Sequence, residues 1–345
     1  MRVVVIGAYT PAYARHYTLL EGLRGCGVEL DVRAFPKTLR TPARLRALWR
    51  SFPRQGEADA VFIPAFNQTL GPAAWALARL RGVPVLMDYL VGLADVAEDR
   101  GQTAGLRYAA FRQMDRFTLH RLPLLTDTAA HRAVFERLAG RPLPRLHVIP
   151  VGARDLPLLP PPNPAAPLMQ YTGTFIPFHG VEVILEAARL LPDVPFELIG
   201  SGQTYQAMAA QAESMALSNV RFRKGYFPLD ELTALQAAST IMLGVFGAAA
   251  KTDYVVPNKL YEALALGRPV ITAESAAVRE FMTPGEHLIT VPPGDAPALA
   301  EAIRGLLADP ARQAALRDAG RRLIEERYLP AHIGPLLLKV LETLP

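Results

Sequence analysis

Residues 257–262 read Pro-Asn-Lys-Leu-Tyr-Glu, and the spacing of their polar members suits an anion. Proline fits the first turn of a helix, where its missing N–H costs nothing. Asn258 and Lys259 then stand at the helix start, where free backbone donors and the helix dipole favour negative charge. Glu262 lies one turn further on the side of Asn258, while Leu260, Ala263 and Leu264 can bury the opposite face. A cation, an amide and a carboxylate so placed can hold a nucleoside diphosphate, with Lys259 and the backbone on phosphate and Glu262 on ribose hydroxyls. A solvated first turn with an incidental Lys–Glu pair has the same sequence.

Other turns carry weaker chemistry. Gly200 and Gly202 end the run ELIGSG and precede a helical stretch. Glycine there lets the backbone turn tightly and approach a phosphate, or simply joins strand to helix. Lys251 and Asp253, in AAAKTDY, reach a ligand or solvate a loop. Asp127 and His131, in TDTAAH, can cap a helix and line a cleft.

The elements that must position these residues alternate along the chain. RVVVI (2–6), VELDVRAF (28–35), AVFIPAF (60–66), PVLMDY (84–89), PLLTDT (123–128) and LHVIPVGA (146–153) read as strands. Helical patterns over 12–25, 41–50, 72–82, 103–121 and 129–139 separate them. The second half repeats the pattern, with strands at 168–174, 195–202, 220–226, 240–246, 269–273 and 287–293. Its helices fall at 180–191, 203–216, 229–238, 257–266, 276–282, 296–308, 311–327 and 331–343. Continuous Val/Ile/Leu strands between helices indicate parallel sheets covered on both faces. Six of the eleven residues in PLLPPPNPAAP (157–167) are proline, which predicts a stiff linker. The fold class is therefore α/β, as two doubly wound Rossmann-like domains facing a cleft: 1–156, and 168–330 after the linker.

Composition narrows the class. The chain has 345 residues, half of them apolar, which argues for a globular protein of two domains. The longest apolar run, 241–250, is half the length of a membrane helix, about 20 residues. The opening MRVVVIGAYTP reads as strand and turn and not as a signal peptide, so a cytoplasmic protein is expected. Cys26 is the single cysteine, which excludes an internal disulfide and a cysteine metal cluster. Residues 1–160 hold 22 Lys/Arg against 13 Asp/Glu, a basic half suited to phosphates or an anionic surface. Within it, residues 38–54 form a basic stretch with Leu45, Leu48 and Trp49 interspersed. This suits peripheral contact with a membrane, or an ordinary docked helix. No nucleic-acid motif accompanies the charge. A dinucleotide-dependent oxidoreductase needs G-x-G-x-x-G after the first strand, and Gly7 stands outside any such pattern.

The block from Leu168 to Tyr328 resembles the donor-binding domain of family 4 glycosyltransferases, through ELIGSG, NVRFRKGY, KLYEALALGRPVITAES (259–275) and the stretch 278–310. The resemblance covers about half the chain closely, and the first half in element order and in TDTAAH and LHVIPVGA. It implies the two-domain GT-B fold, a last helix (331–345) packed back on the first domain, and transfer of a sugar from a nucleotide donor with retention. The donor implied is UDP- or GDP-linked, the acceptor a sugar or a lipid-linked hydroxyl, and no metal or other cofactor is needed. The absence of an Asp-x-Asp motif fits that.

By the resemblance, Gly7, Gly173, Thr174, Gly200, Gly202, Tyr226, Asp253, Tyr254, Asn258, Lys259 and Glu262 bind the donor. Asp88, His179 and Lys259 stand at catalytic positions, and Asp95 and Arg100 lie on the acceptor side. The sequence departs from the family at two basic positions, now Thr174 and His179, and at the first of two paired glutamates, now Tyr254. Lys259, Asn258 and a protonated His179 take over the diphosphate, or the chain is a degenerate, nucleotide-binding partner subunit.

Overall fold

The structure, a computed structural model, describes residues 1–98, 101–161 and 166–344. The apolar runs of the first half become β1 (Arg2–Ala8), β2 (Glu29–Phe35), β3 (Ala60–Ile63), β4 (Val85–Asp88), β5 (Leu124–Thr126) and β6 (Leu146–Val148). Between them lie α1 (Ala14–Gly25), α2 (Thr41–Ser51), α3 (Gly71–Arg81), α4 (Leu93–Glu98), α5 (Gly105–Arg121) and α6 (Ala129–Ala139). All strand pairs are parallel, in the order β2-β1-β3-β4-β5-β6. Strands β3, β4 and β5 are buried along their whole length, which is why they read as unbroken apolar runs.

The second half gives β7 (Met169–Thr174), α7 (Val181–Arg189), β8 (Phe196–Ser201), α8 (Tyr205–Ser214), β9 (Val220–Lys224), α9 (Leu229–Gln236) and β10 (Ile241–Leu243). These are followed by α10 (Ala250–Tyr254), α11 (Asn258–Ala265), β11 (Val270–Ala273), α12 (Ala276–Phe281), β12 (Ile289–Val291), α13 (Ala296–Leu307), α14 (Pro310–Arg327) and α15 (Pro330–Glu342). Its sheet is parallel in the order β12-β11-β10-β7-β8-β9. Each sheet has its own apolar core.

The chain divides into two units, Met1–Gly152 with the chain from Leu329 onward, and Ala153–Tyr328. The first boundary therefore lies at 152 and not at 156. The proline-rich stretch is also less free than its composition suggests. Ala153 donates to Tyr328 at 2.8 Å, Leu159 to Leu266 at 3.1 Å, and buried Arg268 to the Pro160 carbonyl at 2.8 Å. Residues 153–160 are thus laid along the second unit by two main-chain N–H donors and by the carbonyl of Pro160. Residues 162–165 lie outside the described residues.

Helix α15 belongs to the first unit, where it packs on α1. A Cβ on Gly334 would lie 2.2 Å from the Gly22 carbonyl oxygen, so the two backbones touch. Two short helices, α4 and α10, form where the sequence reading has loops.

Strand order reverses between β1 and β3 in one sheet and between β7 and β10 in the other. In open α/β sheets ligands sit outside the carboxyl ends of the strands at such reversals. The carboxyl ends there are Gly7-Ala8 in the first unit and Gly173-Thr174 in the second.

Candidate functional site

In the second unit β7 carries Tyr171 and Gly173, and α11 delivers Lys259 beneath them. The Lys259 Nζ is buried, lies 3.8 Å from the centroid of the Tyr171 ring, and has no hydrogen-bond partner among the described residues. A Cβ on Gly173 would meet that Nζ at 2.7 Å, so glycine is what leaves room for the lysine. Burial lowers the Lys259 pKa well below the ordinary lysine value. A buried cation with no counter-charge is costly, and an arriving anion restores its charged form.

Tyr171 reaches two further groups. Its hydroxyl donates to the Thr174 carbonyl at 3.0 Å and lies 2.7 Å from His179 Nδ1. His179 ends a single 3-10 turn, Pro177–His179, and is buried. Burial, then the nearby Lys259, hold its pKa well below the histidine range. The protonated His179 expected from sequence would therefore need the charge of a bound diphosphate to offset that burial. The Thr174 side chain is exposed.

Around this centre, Asn258 is the first residue of α11, and Pro257 is its N-cap and not its first helical residue. Glu262 lies 3.6 Å from Arg154 Nη1, with a fifth of its side chain (21%) exposed. Burial raises the Glu262 pKa and Arg154 opposes the rise. Gly200 pairs with Gly173 in the register of β7 and β8, and a Cβ there would sit 1.9 Å from the Gly173 carbonyl oxygen. A Cβ on Gly202 would meet the Phe175 carbonyl oxygen at 2.5 Å. Tyr226 stands 79% exposed just beyond β9, and Tyr254 is half-buried at the end of α10. Asp253, expected on the donor, spends Oδ1 on the backbone N–H of Ala276 at 2.8 Å, capping α12 beside Ser275.

The first unit departs further from expectation. Asp88, given a catalytic position, is fully buried and held by Arg15 of α1, so its carboxylate reaches no solvent. In this structure it is the counter-ion of Arg15. Asp127 pairs with His131 Nδ1 at 2.7 Å, and Thr128 is the helix cap, accepting from His131 N at 2.8 Å. Gly7 faces the buried Asn67, whose amide bonds the backbone of Ala8 in both directions at 2.8 and 3.0 Å. Asp95 is half-buried on α4; Arg100, with Asp99, lies outside the described residues.

Residues 166–309 match the family described as glycosyl transferases group 1. The second unit carries a group 1 glycosyl transferase domain. The chain is 26% identical over 180 residues to the lipopolysaccharide core biosynthesis glycosyltransferase LpsE of Rhizobium meliloti, covering 52% of this chain and 51% of that one. It is 27% identical over 184 residues to a GDP-mannose-dependent phosphatidylinositol monomannoside mannosyltransferase of Corynebacterium glutamicum, covering 52% and 48%. The chain thus spans about half the length of the curated relatives it matches. Among solved structures it resembles Anabaena HepE in complex with UDP (TM-score 0.74, 14% identity, all of both chains). It also resembles sucrose-phosphate synthase from Thermosynechococcus elongatus (TM-score 0.75, 17% identity, 99% and 98%). These likenesses are of fold, and the fold is GT-B.

Sequence reading of the group 1 domain missed Tyr171 and Arg154, and in the first unit Arg15. The only signal for Tyr171 is its place two residues before Gly173 on a strand, one face from the turn. Arg154 precedes the linker and Arg15 sits in a helix, and their partners Glu262 and Asp88 lie far along the chain.

Proposed function

We propose that the chain is a retaining, metal-independent glycosyltransferase that moves a sugar from a UDP- or GDP-linked donor to a hydroxyl acceptor. The observation that carries this reading is the buried, unpartnered Lys259 Nζ at the start of α11, below the switch point of the second sheet. A diphosphate there supplies the missing counter-charge, and the free N–H groups at the helix start add to the attraction. As the bond from sugar to phosphate loosens, Lys259 is the fixed charge that stabilises the departing diphosphate. Thr174 and neutral His179 offer hydrogen bonds, Glu262 a carboxylate for ribose, and Tyr226 an exposed ring for the base. The acceptor hydroxyl attacks from the face the leaving group vacates, with the phosphate taking its proton. The names of the relatives, LpsE and the phosphatidylinositol mannoside enzyme, favour a glycolipid or polysaccharide acceptor.

On α2, Trp49 is 54% and Leu45 37% exposed among Arg40, Arg44, Arg46 and Arg50. This supports a contact with an anionic membrane face. No described helix is long and apolar enough to cross a membrane.

The test is thermal stability with UDP, GDP, ADP and CMP, without added metal. A hundredfold excess over Kd stabilises by about 2.7 kcal/mol. One nucleotide should raise the melting temperature of the wild-type chain and leave Lys259→Ala unmoved. A shift without any sugar transfer from that nucleotide's sugars favours the second reading, a nucleotide-binding partner subunit. Thr174 and His179, standing at the two positions where the resemblance expects basic residues, are what favours that alternative. No shift with any nucleotide removes the donor reading.

A further inference from the structure

We propose that Tyr171 is a positioning residue of the donor site, holding Lys259 through the face of its ring and His179 through its hydroxyl. The inference rests on the donor reading above and adds to it a residue that touches neither phosphate nor sugar.

Two separate contacts meet in one side chain. The Lys259 Nζ stands 3.8 Å from the ring centroid, within the range in which an aromatic face attracts a cation. With no oxygen bonded to that Nζ, the ring is the group that offsets part of its desolvation. Phe175 packs edge-on against the same ring, centroids 5.4 Å apart at 76°, and fixes its plane. The lysine stem is flexible, so a stored position on a ring face keeps the amine beneath Gly173, where the chain bends into the 3-10 turn.

The hydroxyl makes a second choice. It has one proton and two neighbours, the Thr174 carbonyl at 3.0 Å and His179 Nδ1 at 2.7 Å. A carbonyl can only accept, so keeping both contacts as hydrogen bonds assigns the proton to Thr174. His179 Nδ1–H then donates to the Tyr171 oxygen, which makes Nε2 the acceptor nitrogen of the neutral ring. Burial keeps the phenol protonated, so this polarity holds across the working pH range. Tyr171 thereby determines both where the cation rests and which imidazole nitrogen carries the proton.

Two variants separate the contacts. Tyr171→Phe keeps the ring and removes the hydroxyl; Tyr171→Leu removes both. Nucleotide affinity is read by calorimetry with UDP and GDP, and the His179 tautomer by its ring ¹⁵N shifts. In the wild-type chain a single Nδ1–H tautomer is expected. In Tyr171→Phe the tautomers should mix while the Kd stays within about threefold. In Tyr171→Leu the Kd should rise about tenfold. An unchanged tautomer in Tyr171→Phe, or an unchanged Kd in folded Tyr171→Leu, overturns the inference while Lys259→Ala still abolishes binding. Should Tyr171→Leu fail to fold, the Tyr171→Phe spectrum decides alone. Absence of nucleotide binding by the wild-type chain overturns the donor reading, and this inference with it.

Discussion

The Arg15 guanidinium grips both oxygens of Asp88, with Nε at 3.0 and 2.8 Å and Nη2 at 2.8 Å, and neither side chain has any exposed surface. Arg15 also donates to the Ile149 carbonyl at 2.7 Å, so one buried cation joins α1, the end of β4 and the segment after β6. Removing one partner leaves the other charge buried and alone. Asp88→Asn should therefore lose about 3–5 kcal/mol of stability, and Arg15→Met with Asp88→Leu should recover most of it. Urea unfolding of the three proteins checks this. A fully stable Asp88→Asn with lost turnover would instead return Asp88 to the chemistry.

Lys259 gives the opposite sign. The ligand-free fold bears the cost of an uncompensated buried amine, so Lys259→Met should stabilise it by about 1–3 kcal/mol while removing the nucleotide-induced shift. The folded pKa lies below the unfolded one, so the cost is full at low pH and gone above the ordinary value of 10.5. The gain should accordingly shrink as the pH is raised. Lys259→Met that melts below the wild-type chain at neutral pH contradicts the assignment.

Acid sensitivity follows from four histidines. His16, His147, His179 and His287 all have their pKa lowered, in each case first by burial. Below the ordinary value of 6.5 the unfolded chain binds protons that the folded chain refuses, so stability rises with pH through that window. Melting temperatures should fall on going from pH 7.5 to pH 5.5. A flat or rising profile would show that these rings are not held neutral.

The contact of α1 with α15 predicts a large effect from one methyl group. In Gly334→Ala the new carbon would meet the Gly22 carbonyl at 2.2 Å, and the forced shift should cost about 1–3 kcal/mol. Gly305→Ala is the control: nothing lies within 4 Å of its Cβ position on α13, and a gain of up to about 1 kcal/mol is expected. Equal effects from the two substitutions would count against the close crossing.

What could be read from sequence was local. Strands came from unbroken Val/Ile runs, because both faces of each sheet are covered, and helix limits fell within a few residues from Pro, Gly and polar ends. The start of α11 was legible because its anion-binding features lie within six residues. The rest depended on distance along the chain. Arg15 meets Asp88 across 73 positions, so Asp88 looked available for chemistry and Arg15 was passed over. Helix α4 was missed because its cap is remote: Asp115 accepts the backbone N–H groups of Leu93 and Ala94 at 2.8 Å from 21 and 22 residues away. In TDTAAH two neighbours could cap, and the backbone selected Thr128, which freed Asp127 to bond the His131 ring.

Helix α15 has a consequence for biosynthesis. The strands of the first sheet are complete at Val148, but the helix that covers α1 is encoded after the whole of Ala153–Tyr328. At ribosomal speeds of about 5–20 residues per second, the glycine face of α1 waits roughly 10–35 s for its cover. During that interval the second unit can fold as an insertion, while the first stays unsealed. The first unit, although made first, is thus the last to be sealed.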